Sequence, residues 1–187
     1  MSLGQYISFE EVTHNALIHA LRDTGTSVGD DEIKKLLLMH DNMAAFPDVE
    51  PALDQLARTQ NVMPIIFTNG TSNMVSKSIL QSGPLSHHRE TFRDLVSVDD
   101  VRKFKPAPEV YRYLAQRVGK CVPEMKDIWV ISSNPFDIIG ALHVGMRVIW
   151  IDRSGKGWAD RAMPGLEPTA IVNSLDEILH VIQDRTG

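Results

Sequence analysis

Polar side chains gather in one short stretch of the sequence, where a buried strand is predicted to give way to a helix. The apolar run 128–131 is typical of a strand inside a parallel sheet. Ser132, Ser133, Asn134 and Asp137 follow it. The asparagine precedes a proline, and this pair favours a helix start, because asparagine caps helices and proline suits their first position. In an open α/β sheet this carboxyl edge binds ligands. A carboxylate among hydroxyl and amide groups there could orient a substrate, although Asp137 could also serve only the helix dipole.

A second polar group, Thr68-Asn69-Gly70, follows the predicted strand 62–67. A hydroxyl and an amide beside a glycine at a helix N-terminus can cradle an anion, because the backbone N–H groups there lack partners. The alternative is an ordinary cap between a strand and a helix, which is a common arrangement.

The third candidate is Lys105, which lies in a loop with two prolines. Pro106 keeps Lys105 out of the helical conformation, and Pro108 suits the start of the next helix. A lysine held in a stiff loop could balance a carboxylate nucleophile or a substrate anion. The alternative is a solvated surface charge, as most lysines are.

The pattern of apolar residues supplies the elements that must hold these groups. The first part of the chain is helical, with helices at 8–24 and 30–40 and a third that ends near Arg58. Strands and helices then alternate, which predicts a Rossmann-like three-layer α/β/α fold around a parallel sheet. The predicted strands are 62–67, 94–98, 128–131 and 146–151, the helices between them are 73–81, 108–118 and 136–144, Ser174 caps a last helix, and 153–168 is the longest irregular loop.

Composition limits the classes of function. The chain has 187 residues, 43% of them hydrophobic, and a net charge of −5, so it can bury one substantial core and gives no reason to expect nucleic acid or an anionic membrane as a partner. No apolar run approaches the roughly 20 residues that span a bilayer. The N-terminal residues lack the pattern of a secretory signal. Cys121 is the only cysteine, which excludes an internal disulfide and a cysteine-built zinc site, and we expect a cytoplasmic protein.

Together the three polar groups resemble the motifs of the haloacid dehalogenase superfamily of α/β hydrolases. Phe67-Thr-Asn-Gly70 resembles its second motif and Lys105-Pro-Ala-Pro-Glu-Val-Tyr111 its third. Val130-Ile-Ser-Ser-Asn-Pro-Phe-Asp-Ile-Ile-Gly-Ala141 resembles the fourth motif in the form found in L-2-haloacid dehalogenases of type II. The resemblance implies a partial helical cap over 1–45 and a core over 46–187.

The resemblance also implies a role for each site residue. Thr68 and Asn69 would position the carboxylate or halide of a small haloacid, and Lys105 would stabilise the charge of the nucleophile. Ser132 and Asn134 would hold the hydrogen bonds of the site, and Asp137 would orient Lys105 or the hydrolytic water. The remaining substrate-binding residues would be Tyr111 and Phe136. Thr68 stands where this branch usually has serine and Phe136 where it often has tryptophan, which affects the expected substrate preference.

The fourth motif argues against a phosphatase of the same superfamily. Such phosphatases bind Mg²⁺, which prefers oxygen ligands and usually carboxylates, and their fourth motif normally supplies an acidic pair. Here Asp137 stands among serines and an asparagine. The seven histidines lack ligand-like spacing as well. We therefore expect a dehalogenase without a metal or another cofactor, with a metal-dependent phosphatase as the weaker alternative.

The nucleophile of the family, an aspartate in an Asp-x-x-Gly-Thr type motif after the first core strand, has no clear counterpart here. Asp23-Thr-Gly-Thr26 is the nearest string, but Asp23 follows a helical pattern and is predicted to end that helix. We expect that the chain lacks the first core strand. Its two core halves would then pair directly, or the chain would form a homodimer. A truncated and catalytically inactive protein is the alternative function.

Overall fold

The elements of secondary structure follow the predicted order along the chain. The computed structural model describes residues 5–41, 43–81 and 85–185. Its helices are α1 (Phe9–Asp23), α2 (Asp30–Asp41), α3 (Val49–Arg58), α4 (Ser72–Val75), α5 (Pro108–Arg117), α6 (Pro135–His143) and α7 (Ile178–Asp184). Its strands are β1 (Ile65–Thr68), β2 (Asp94–Ser97), β3 (Trp129–Ser132), β4 (Arg147–Ile151) and β5 (Ala170–Val172). A π-helical segment (Ser76–Gln81) continues α4, and 3₁₀ turns cover Ser86–Thr91, Val98–Asp100, Val122–Asp127 and Leu175–Glu177.

The chain forms two compact units, residues 1–46 with 64–102 and residues 47–63 with 103–187. The proposed division into a helical cap over 1–45 and a core over 46–187 stays a prediction. In the part of the chain that the structure describes, no helix is both long and apolar enough to cross a bilayer.

In the first unit, α1 begins and ends where the sequence indicates. The Ser8 hydroxyl accepts a hydrogen bond from the Glu11 N–H at 3.2 Å. Asp23 is the last residue of α1, and Gly25 after it has a φ of +66°. The prediction that Asp23 ends a helix, and does not follow a strand, is confirmed.

The sheet of the first unit consists of β1 and β2, which are parallel, with Thr68 opposite Ser97. The turn after β1 leads into α4, where the Thr71 hydroxyl accepts from the Met74 N–H at 3.2 Å. The helix predicted at 73–81 is therefore present, but only its first turn is α-helical. Thr68 and Asn69 lie in this turn, at the carboxyl end of β1.

The sheet of the second unit has the order β3-β4-β5, and both pairs are parallel. One hydrophobic cluster of this unit consists of Ile149, Ile151 and Val172 from the strands and Ile178 and Ile182 from α7. The sequence reading missed β5, because three residues after a long irregular loop carry too little periodicity to separate a strand from loop.

Asp48, just before α3, connects three parts of the second unit. Its Oδ2 accepts hydrogen bonds from Arg153 Nε at 2.9 Å and from the Leu175 N–H at 2.8 Å. Burial acts to raise the pKa of Asp48, but these hydrogen bonds and the charge of Arg153 outweigh it and hold the pKa below its ordinary value. The ion pair thereby fixes the start of α3 against the segments that follow β4 and β5.

The expectation of direct pairing between the two core halves is wrong. In the described residues β1 pairs with β2 and β3 pairs with β4, and the two sheets do not share a ladder. Direct pairing would require a ladder of backbone hydrogen bonds between β1 and β3. In the described residues, the ladder of β1 is formed with β2 and that of β3 with β4.

Candidate active site

Asp137 is the centre of a buried polar group in the second unit. Its side chain is 8% exposed, and it lies in the first turn of α6, immediately after the carboxyl end of β3. Lys105 Nζ lies 3.1 Å from Oδ1, and the Ser132 hydroxyl donates to Oδ2 at 2.9 Å. Both carboxylate oxygens therefore have a partner, one cationic and one neutral.

Local sequence explains how β3 presents this aspartate. Pro135 occupies the first turn of α6, and the Asn134 carbonyl accepts from the Asp137 N–H at 3.0 Å. Asn134 is the N-cap residue as predicted, but its side chain makes no capping hydrogen bond. The Asn134 N–H donates instead to the Ser132 hydroxyl at 3.0 Å. The Ser132 hydroxyl therefore accepts a hydrogen bond from the backbone of the turn and donates one to the Asp137 carboxylate.

Lys105 reaches Asp137 from the loop before α5. Its side chain is 7% exposed, and the peptide bond between Lys105 and Pro106 is cis. Burial lowers the pKa of Lys105 below its ordinary value, because it disfavours the ammonium, whereas the Asp137 carboxylate acts in the opposite direction. Asp137 therefore favours the charged form of a lysine that burial alone would tend to discharge.

Tyr111 packs beneath Asp137 and is completely buried, with 0% exposure. Its hydroxyl lies 3.4 Å from the Asp137 carbonyl oxygen and 3.5 Å from Oδ1. Burial is the largest cause of a raised pKa of the Tyr111 phenol, and the charge of Asp137 adds to it. The structure places Tyr111 as a neutral support for Asp137, and contact with a substrate stays a prediction.

Gly140 is a residue of this site that sequence reasoning missed. A Cβ atom at Gly140 would lie 2.5 Å from the Tyr111 hydroxyl oxygen and 2.6 Å from two ring carbons, so no side chain fits there. A glycine inside a helical pattern costs about 1 kcal/mol relative to alanine and often has a packing reason, and this was the available signal. The absence of a side chain lets α6 approach the ring of Tyr111.

Two predicted site residues on this turn face solvent. Asn134 is exposed, and Phe136 is 42% exposed although it is a large apolar side chain. Both lie within three positions of Asp137 in sequence. They are accessible to a small molecule at the carboxyl edge of β3.

Thr68 and Asn69 belong to the first unit, at the end of β1. The Thr68 hydroxyl accepts a hydrogen bond from the Gly70 N–H at 2.9 Å, so it folds the turn back on itself. The Ser97 hydroxyl, from the end of β2, donates to the Gly70 carbonyl at 2.8 Å. The sequence reading missed Ser97, because nothing in its local sequence indicates a contact across 27 positions.

A sequence model of the family described as haloacid dehalogenase-like hydrolase matches residues 2–145. The chain belongs to this family. The prediction of the haloacid dehalogenase superfamily and of its α/β fold is thereby confirmed, and so is the classification of the chain as a hydrolase.

Several relatives of this haloacid dehalogenase-like hydrolase are named dehalogenases. Haloacetate dehalogenase H-2 of Moraxella sp. (strain B) is 31% identical over 180 residues, which make up 96% of this chain and 75% of that protein. (S)-2-haloacid dehalogenase 2 of Pseudomonas sp. (strain CBS-3) is 29% identical over 180 residues, with coverages of 96% and 74%. The solved structure of the L-2-haloacid dehalogenase RSc1362 matches with a TM-score of 0.83 at 28% identity, covering 96% of this chain and 74% of that one.

Proposed function

We propose that this haloacid dehalogenase-like hydrolase serves the hydrolytic dehalogenation of short 2-haloalkanoic acids through an aspartyl-ester intermediate. A carboxylate oxygen attacks C2, forming a C–O bond while the halide leaves with the electrons of the C–halogen bond. Water then attacks the ester carbonyl, which releases the 2-hydroxy acid and a proton and restores the carboxylate. The observation that carries the proposal is the buried Lys105–Asp137–Ser132 group, found in a chain whose relatives are named for this activity.

Lys105 supplies the positive charge of the proposed mechanism. An ammonium that is 7% exposed interacts with a nearby carboxylate more strongly than one in water, because the effective dielectric constant is lower. We assign it to the attacking carboxylate, whose charge it would stabilise before attack and after ester hydrolysis.

Asp137, with Ser132 and Asn134, forms the positioning part of the site. The Asp137 carboxylate keeps Lys105 charged and fixes its direction, and Ser132 fixes the carboxylate in turn. In the hydrolytic step Asp137 could also accept a hydrogen bond from the attacking water. The exposed amide of Asn134 is assigned to the hydrogen bonds of the site that face the substrate.

Substrate binding is assigned to Thr68, Asn69, Tyr111 and Phe136. The hydroxyl and amide of the β1 turn suit a carboxylate or a halide, both of which accept hydrogen bonds. The exposed ring of Phe136 suits the short alkyl part of the substrate. We propose Tyr111 as a substrate-binding residue because it belongs to the family's third motif. The interaction that the structure shows for its hydroxyl is with Asp137.

The proposal includes neither a metal ion nor another cofactor. Both oxygens of the Asp137 carboxylate are engaged by protein groups, Oδ1 by the Lys105 ammonium and Oδ2 by the Ser132 hydroxyl. We further propose a cytoplasmic protein that acts on a small haloacid, and a homodimer as its assembly.

Halide release from L-2-chloropropionate tests the proposal. The chain is compared with Lys105→Met and with a chain extended upstream by a first core strand that carries the aspartate nucleophile. We expect release that depends on Lys105, in the extended chain above all, since no nucleophile is identified in the 187 residues. Magnesium-dependent hydrolysis of p-nitrophenyl phosphate, without halide release from either chain, would overturn the proposal in favour of a phosphatase.

A further inference from the structure

Ser97 is a buried residue that the proposed reaction does not yet use. It is the last residue of β2, it is 1% exposed, and it lies opposite Thr68 in the parallel ladder. A buried hydroxyl needs partners for both its proton and its lone pairs, because an unsatisfied polar group is costly to bury.

The Ser97 hydroxyl connects two turns of the first unit. It donates to the Gly70 carbonyl oxygen at 2.8 Å and accepts from the Asp99 N–H at 3.2 Å. Since a backbone N–H cannot accept, the single hydroxyl proton is committed to Gly70. The direction of the bond is therefore fixed by the partners.

The bond from Ser97 completes the restraint on Gly70. The Gly70 N–H donates to the Thr68 hydroxyl at 2.9 Å, and the Gly70 carbonyl accepts from Ser97. The peptide planes before and after Gly70 are thus each held by one side-chain hydroxyl. Asn69 belongs to the first of these planes, so its backbone direction is set by the same pair of bonds.

The second turn is anchored from its other side. The Asp99 carboxylate accepts a hydrogen bond from the Tyr6 hydroxyl, and the Arg102 guanidinium lies over the Tyr6 ring at 5.6 Å from its centroid. These contacts hold the turn at Val98–Asp100 in place, and with it the Ser97 hydroxyl that donates to the Gly70 carbonyl.

We propose that Ser97 is a positioning residue for substrate binding: its hydroxyl holds the Thr68-Asn69-Gly70 turn in the conformation that receives the substrate carboxylate or halide. The inference rests on the proposed function of that turn and adds a residue to it. Ser97 itself does not touch the substrate. Loss of its hydroxyl should act through the orientation of Asn69 and Gly70, since small errors in placement weaken recognition strongly.

The test measures binding of propionate, which has the substrate's carboxylate but no C–halogen bond and so cannot be turned over. Amide shifts of residues 68–71 are followed by NMR during titration of the wild type and of Ser97→Ala. A matched control, Thr91→Val, removes another buried hydroxyl of the same unit, in the turn Ser86–Thr91. Ser97→Cys, which keeps a weak donor of similar size, serves if the alanine variant does not fold.

We expect Ser97→Ala to raise the dissociation constant about 10-fold and to speed hydrogen exchange at the Asp99 amide, whereas Thr91→Val leaves both unchanged. Ser97→Cys should fall between them. Equal affinity for propionate in the wild type and Ser97→Ala would overturn the positioning role and leave the proposed function standing. Propionate that shifts no amide of residues 68–71 in the wild type would also overturn it, while halide release from L-2-chloropropionate tests the proposed function separately.

Discussion

The Lys105 ammonium and the Asp137 carboxylate form an ion pair at 3.1 Å, with side chains that are 7% and 8% exposed. They lie 32 positions apart in sequence, on the loop before α5 and in the first turn of α6. Two charges at this depth are tolerated because each neutralises the other and Ser132 satisfies the second carboxylate oxygen. The pair is therefore both a catalytic arrangement in the proposed reaction and a source of coupled stability.

Removal of one member of this pair should cost more than removal of both. Lys105→Met leaves a buried, uncompensated carboxylate, for which we expect a loss of about 3–5 kcal/mol in the free energy of unfolding. The double variant Lys105→Met/Asp137→Asn should lose less than Lys105→Met alone, because no buried charge remains. Urea unfolding of Lys105→Met, of Asp137→Asn and of the double variant measures the coupling. Additive losses would contradict it.

Gly140→Ala should destabilise the protein although alanine is the better helix former. Helix propensity favours alanine by about 1 kcal/mol, but the added Cβ would overlap the buried Tyr111 ring at 2.5–2.6 Å. Overpacking of this kind costs about 1–3 kcal/mol, and a clash with a fully buried ring belongs at the upper end, so we expect a net loss of about 2 kcal/mol. Gly29→Ala, just before α2, is the control for an added Cβ without a rigid neighbour, because the new atom would meet only the flexible end of Glu32. A stability gain in Gly140→Ala, measured by thermal unfolding, would be the contrary result.

The sequence predicted features that depend on neighbouring residues and missed contacts between residues that are far apart in the chain. The turn from Ser132 to Asp137 spans five positions, and its polar residues, proline and apolar strand are all visible locally. Contacts such as Ser97–Gly70 and Gly140–Tyr111 join residues that only the tertiary fold brings together. Pairing of β1 with β3 was expected because the family's first core strand, which would lie between them, was expected to be missing and would leave two unpaired edges; unpaired edges do not determine where a strand lies. The short strand β5 carried no usable periodicity.

Stability at acid pH should depend on the ion pair between Asp48 and Arg153. The pKa of Asp48 lies below its ordinary value of 3.8, so the folded state favours the carboxylate. The corresponding stabilisation is complete above pH 3.8 and is lost as the pH falls through the lower, folded-state pKa. Asp48→Asn should lower the free energy of unfolding by about 1–3 kcal/mol at neutral pH and flatten its pH dependence below pH 3.8.

Denaturant unfolding at several pH values checks this expectation. Asp54→Asn is the control, because Asp54 is an exposed aspartate on α3, the helix that follows Asp48. Parallel pH curves for the wild type and Asp48→Asn would show that the pair contributes nothing to acid stability.

Phe136 should affect substrate binding and, more modestly, folding. The residue is 42% exposed, so Phe136→Ala removes a partly buried ring and should lower the free energy of unfolding by about 1–2 kcal/mol. If the ring contacts the alkyl part of the haloacid, the same variant should raise KM for L-2-chloropropionate about 5- to 10-fold, with a smaller change in kcat. Phe136→Trp, which keeps an aromatic face, should stay within about 2-fold of the wild type. The measurement is halide release in the most active form of the chain, and an unchanged KM in Phe136→Ala would remove Phe136 from the substrate-binding set.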